Sequence, residues 1–147
     1  MEFVDTNVTP GGPHYYYFTV VTDGGESSAS NIAMATPVDT IDPVITHNSE
    51  TVVSLDDSLT LRANVTDNIA VANVNIVYRN ASSSTWQTRT MVLTDLDANR
   101  YSVTMSGSDI GNQYLEYYIE AKDAVNTVTS GSAESPFKVF VSLPSDT

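Results

Sequence analysis

Three short acidic stretches hold the residues of this chain best suited to chemistry. They carry Asp39 and Asp42, Asp67 and Asn68, and Asp123 and Asn126. Carboxylates and amides are the oxygen donors that calcium gathers, six to eight at a time. The same residue types also cap turns by accepting from nearby backbone N–H groups. Asp67-Asn68 and Asp123 suit that second role equally well. Asp42, Asp67 and Asp123 are therefore a candidate calcium set, with turn capping as the alternative at each position. No other cofactor is implied.

A second group could hold a sugar. Around Tyr118 the alternation places Tyr117 and Ile119 inward, so Tyr118 should face outward. Asn75, Val77 and Arg79 should face outward on another strand, with the only tryptophan, Trp86, on the strand beside it. An aromatic surface with amide and guanidinium donors is a candidate polysaccharide platform built from Trp86, Tyr118, Arg79 and Asn75. The alternative is that these side chains pack on one another across the strands.

Catalysis finds little support. The two histidines, His14 and His47, stand near no recognisable nucleophile, and no nucleophile elbow, phosphate-binding loop or HExxH pattern occurs. Eighteen Asp and Glu residues are present, but no pair is marked out for glycoside hydrolysis. The chain is expected not to be an enzyme. Three sequons, Asn7-Val8-Thr9, Asn64-Val65-Thr66 and Asn80-Ala81-Ser82, are candidate N-glycosylation acceptors in a host that glycosylates exported proteins. Asn80, in a polar turn, suits that best, and Asn64 should face solvent.

The net charge is −12, with only six Lys and Arg. Such a surface repels phosphate backbones and anionic lipid, so neither nucleic acid nor a membrane surface is expected as a partner. Cysteine is absent, which excludes disulfides and thiolate metal sites. No apolar run is long enough to insert into a membrane. Met1 is followed at once by charged Glu2, so no signal peptide is read at the start.

Period-two alternation positions these residues on strands. Residues 44–47 and 51–53 open the pattern. Residues 58–65 follow with Leu59, Leu61, Ala63 and Val65 on one face, then 71–79 with Val74, Ile76 and Tyr78 together. Residues 85–93, 101–105, 114–122 and 137–142 complete it, with Leu115, Tyr117, Ile119 and Ala121 inward. About seven strands at this spacing predict an all-β, antiparallel two-sheet sandwich. Pro37 to Pro43 reads as a short linker. The chain therefore divides into residues 1–37, a linker at 38–43, a sandwich at 44–142 and a tail at 143–147.

Two resemblances fit this division. Asp5-Thr6-Asn7-Val8-Thr9-Pro10-Gly11, the aromatic run Tyr15–Val21 and the ending Ala35-Thr36-Pro37 resemble the closing strands of a fibronectin type III domain. Asp42-Pro43-Val44-Ile45-Thr46-His47, Val65-Thr66-Asp67-Asn68-Ile69-Ala70-Val71 and Leu115–Asp123 resemble an immunoglobulin-like module of prokaryotic surface proteins and secreted glycosidases. The antibody-type Cys–Trp–Cys core is missing. The second resemblance implies an extracellular or cell-surface setting and neighbouring domains of the same parent protein as partners. It also implies a structural, spacing or adhesive role. Its alternative is a carbohydrate-binding accessory module of a secreted glycosidase. The first implies a truncated domain, so residues 1–37 are expected to be loosely structured, because two or three strands alone are marginal in water.

Overall fold

The structure, a computed structural model, describes residues 2–145. It divides into two compact units between Thr40 and Ile41.

The first unit is a long, irregular hairpin of β1 (His14–Tyr16), β2 (Val21–Thr22), β3 (Gly25–Glu26) and β4 (Ala33–Ala35). β1 pairs antiparallel with β4, and β2 with β3. Between the two ladders, serine hydroxyls complete the pairing. Ser30 Oγ accepts from Phe18 N–H at 3.0 Å, and Ser27 Oγ accepts from Val20 N–H at 2.9 Å. The backbone N–H groups of Ser30 and Ser27 return to the Phe18 and Val20 carbonyls. Regular pairing thus replaces the expected loose structure. Large apolar side chains of this unit stay exposed: Phe3 is 82% exposed, Phe18 69% and Val20 54%.

The second unit runs β5 (Val44–His47), β6 (Val52–Ser54), β7 (Leu59–Thr66), β8 (Asn73–Asn80), β9 (Gln87–Thr90), β10 (Val92–Asp95), β11 (Arg100–Met105), the one-turn helix α1 (Gly107–Ile110), β12 (Tyr114–Lys122), β13 (Thr127–Ser130) and β14 (Phe137–Ser142). One sheet has the order β10-β11-β7-β5. The other has the order β6-β14-β12-β8-β9, with β13 beside the end of β12. This is the all-β sandwich that the alternation predicts.

The core lies between the sheets because each strand turns one apolar face inward. Leu61, Ala63 and Val65 come from β7, Val74, Ile76 and Tyr78 from β8, and Leu115, Tyr117, Ile119 and Ala121 from β12. Tyr117 is fully buried while Tyr118 is half-buried, so the register of β12 is the expected one. Each Leu, Ile or Val among these core residues contributes about 1.5–3 kcal/mol on burial.

Three details depart from the sequence reading. The strand expected over 85–93 is two strands in different sheets: β9 pairs with β8, and β10 pairs with β11. Met91, buried between them, donates its N–H to the Val74 carbonyl at 2.8 Å at the crossing. β13 and α1 were not foreseen. Helix α1 is a single capped turn: Ser106 caps it, and Asp109 returns a bond to the Ser106 N–H. Finally, the sandwich is not wholly antiparallel, because β6 pairs with β14 in parallel.

That parallel pair fixes how the chain passes through the unit. β14 is antiparallel to β12, and β12 to β8, so β6, β8 and β14 share a direction. β7 returns into β8 through a short loop and opposes it, and β5 opposes β7. The first strand and the last therefore run the same way. The chain enters at one end, near Pro43, and leaves at the other, near Leu143.

Candidate functional site

The entry end gathers the start of β5, the loop after β7 and the loop after β12, because Val44 pairs with Thr66 and Lys122 with Asn73. Carboxylate oxygens of Asp67 and Asp123 come within 4.8 Å of each other there. Asp67 Oδ2 accepts from the N–H groups of Ile69 and Ala70 at 2.8 and 2.9 Å. Asp123 Oδ1 accepts from the N–H groups of Val125 and Asn126, and its Oδ2 accepts from Asn126 Nδ2 at 2.8 Å. The same Asn126 amide donates to the Ile41 carbonyl at 3.2 Å. Both carboxylates are therefore turn caps. The bonds from the Asn126 backbone hold the Asp123 carboxyl below its ordinary range despite burial. Asp67 Oδ1 is buried without a hydrogen-bond partner. Asp42, the third residue of the candidate calcium set, is exposed and does not join the pair; in its stretch Asp39 is the buried carboxylate.

The outer face of the larger sheet brings together three of the four predicted sugar-platform residues. The Trp86 and Tyr118 rings lie 5.4 Å apart at 68°, and the Arg79 guanidinium sits 4.4 Å over the Trp86 ring. The row continues across the sheet. Arg79 Nε donates to Glu116 Oε2 at 2.9 Å, Lys138 bonds Glu116 Oε1 at 2.9 Å, and Lys138 lies 4.2 Å from the Tyr114 ring centre. Burial works against the Glu116 charge, but the bonds from Lys138 and Arg79 outweigh it and keep the carboxyl below its usual range. Asn75 stands apart along β8 and accepts from the Thr90 hydroxyl at 3.2 Å. The two rings are far from coplanar, and one Trp86 face already carries a guanidinium. This is the cross-strand packing arrangement.

Alternation alone missed this row's centre. Glu116 lies between inward Leu115 and Tyr117, so it should be exposed, yet it is buried beneath its two cationic neighbours. The signal was the register: Glu116 opposes Arg79 on one side and Lys138 on the other.

Most of the other singled-out residues make hydrogen bonds within the fold. His14 Nε2 lies 3.0 Å from the Thr9 carbonyl. His47 lies between the Arg62 carbonyl and the Tyr117 hydroxyl. Among the sequons, the Asn64 amide donates to the Ala98 carbonyl at 2.6 Å and the Asn80 amide to the Asp109 carbonyl at 3.1 Å. Asn64 is half-buried rather than facing open solvent, and Asn7 is the exposed member of the three.

No family model matches the chain, and no curated protein matches it. Among solved structures it is similar in part to the endo-β-1,4-mannanase from Thermotoga petrophila. The identity is 11% and the TM-score 0.47, over 74% of this chain and 21% of that one. The chain thus spans about a fifth of the mannanase's length. Among the described residues, no helix is long and apolar enough to cross a membrane.

Proposed function

We propose that the second unit is an immunoglobulin-like module that serves as a non-catalytic spacer in a multidomain extracellular protein. In this reading the first unit is the closing part of a fibronectin type III-like module that precedes it. The observation that carries the reading is the shared direction of β5, β6 and β14, with β6 and β14 paired in parallel. A module entered at one end and left at the other adds length between its neighbours. Tension on its two ends loads the β6–β14 bonds along the strands, so several must break together. The strand order, four strands facing the remainder, supports the immunoglobulin-like assignment.

The reading of the Trp86–Tyr118 surface of the same unit as a carbohydrate platform has less support. It needs an open aromatic face, and Trp86 is stacked by Arg79 and stands edge-on to Tyr118. Beside it, Arg79, Glu116 and Lys138 satisfy one another.

A spacer must hold its length. The chain has no cysteine, so Asp42→Cys and Leu143→Cys place two spin labels cleanly at the two ends of the second unit. Pulsed electron paramagnetic resonance should give one narrow distance distribution in the full chain. A broad or two-peaked distribution would contradict a spacer of fixed length.

A further inference from the structure

Six cationic side chains serve the whole sequence. Four of them, Arg79, Arg89, Lys122 and Lys138, sit in ion pairs of 3.1 Å or less. Arg62 has no ion pair among the described residues, and Arg100 reaches Asp95 only at 3.9 Å. These two line the same cleft.

The cleft lies on the outer face of the smaller sheet. Its volume is about 270 Å³, and its polar lining includes Thr46, Asn48, Glu50, Thr60, Arg62 and Arg100. Register explains the convergence. Arg62 opposes Ser102 and Arg100 opposes Asn64 on the adjoining strands β7 and β11, so both guanidiniums rise from the same sheet face. Thr46 arrives because β5 pairs with β7 and sets it opposite Asn64. Arg62 is only loosely held, by a 3.4 Å bond to the Thr60 carbonyl.

We propose that this cleft binds a carboxylate-bearing sugar unit, such as a uronic acid residue of an acidic polysaccharide. Guanidinium forks match the planar carboxylate with paired hydrogen bonds. Hydroxyl and amide groups of Thr46, Thr60 and Asn48 offer bonds to ring hydroxyls, and Glu50 accepts from them. The volume falls just below the roughly 300–1,000 Å³ of sites for drug-sized ligands, which suits one sugar unit. Glu50 in the lining repels a doubly charged phosphate more than a single carboxylate. At physiological salt the rest of the molecule's charge is screened beyond about 8 Å, so the guanidinium pair dominates at the site. The proposal does not depend on the spacer role, because a module that sets length can also grip a polymer.

The test is a ¹H–¹⁵N titration of the full chain with sodium glucuronate, with glucose, acetate and inorganic phosphate as comparisons. Glucuronate should shift amides around Thr46, Thr60, Arg62 and Arg100 with a Kd of about 1 mM. Acetate should act at the same amides more weakly, and glucose should leave them in place. Arg62→Gln with Arg100→Gln should weaken glucuronate binding at least about tenfold, while Trp86→Ala should not change it. Unaltered core signals such as that of Ile119 verify that the double variant is folded. Three results would each overturn the proposal. They are equal effects from glucose, phosphate binding as tightly as glucuronate, or glucuronate shifts that survive the double substitution.

Discussion

His47 and Tyr117, 70 residues apart, are joined across the sandwich by a 2.8 Å bond between Nε2 and the phenolic oxygen. His47 Nδ1 lies 2.6 Å from the Arg62 carbonyl, which can only accept. The ring proton is therefore on Nδ1, Nε2 accepts, and the Tyr117 hydroxyl donates. Tyr117 is fully buried, and burial raises its hydroxyl far above the ordinary phenol range.

Acid should strain this pair. Burial lowers the His47 pKa below 6.5, against the opposing pull of the Arg62 carbonyl and of Glu50, the charged group facing it. The unfolded chain therefore binds the proton first. Stability from this site is complete above about pH 6.5 and declines as pH falls toward the lower folded value. The Phe137 ring, edge-on at 5.1 Å, offers the imidazolium no replacement acceptor. Urea denaturation should show the midpoint falling between pH 7.5 and 5.5, with the slope in pH removed in His47→Gln. An unchanged slope in that variant would place the titration elsewhere.

Arg89 and Asp109 define a second, lower window. Arg89 grips both Asp109 oxygens at 2.8 and 2.9 Å and also bonds the Tyr78 hydroxyl at 3.0 Å. The Arg89 bond, aided by Ser106 and opposed by burial, holds the Asp109 carboxyl well below its usual value. Its contribution is present above about pH 4 and is lost as pH falls further. Arg89 is partly exposed, so solvent screening trims the cost of Asp109→Asn to about 1–2 kcal/mol. The loss should be read by denaturation at pH 7 and should shrink toward pH 3.

Much of this could be read from the residues. Inward-facing Leu61, Ala63, Ile76, Tyr117 and Ile119 follow from alternation alone, since a one-residue slip would expose the whole set. The break at Met91 could not be read, because a strand that changes sheets keeps its local β pattern on both sides. The platform residues Trp86, Tyr118 and Arg79 were legible as neighbours. Their mutual saturation was not, because it depends on Glu116 and Lys138 arriving from lateral strands. Asp67 and Asp123 were legible as loop acids at one end, but their backbone donors come from loop geometry.

Asp123 tests the turn-cap assignment. Asp123→Ala should lower the Tm equally in calcium and in EDTA, since the carboxylate serves the Val125 and Asn126 N–H groups. A loss several times larger in millimolar calcium would make Asp123 a ligand instead.

Gly131 sits at φ +75°, and a Cβ there would lie 3.1 Å from Tyr118 Cβ and 3.2 Å from the Phe137 ring. Gly131→Ala should therefore cost about 1–3 kcal/mol through strain and crowding together. Equilibrium denaturation measures it, and a neutral result would mean that the loop relaxes freely.

The most direct measurement of the spacer account is force spectroscopy on the second unit within the full chain, pulled through cysteines at positions 42 and 143. The Phe140 N–H donates to the Thr51 carbonyl at 2.9 Å, and the Leu55 N–H donates to the Ser142 carbonyl at 2.9 Å, within the parallel β6–β14 region. Phe140→Pro deletes the first bond at an exposed side chain, so it should lower the unfolding force markedly. Gly131→Ala crowds the Phe137 ring at the start of β14 but removes no β6–β14 bond, so it should leave the force near the parent value. A Phe140→Pro module that unfolds at the parent force, or a Gly131→Ala module weakened as much, would contradict load-bearing by the terminal strands.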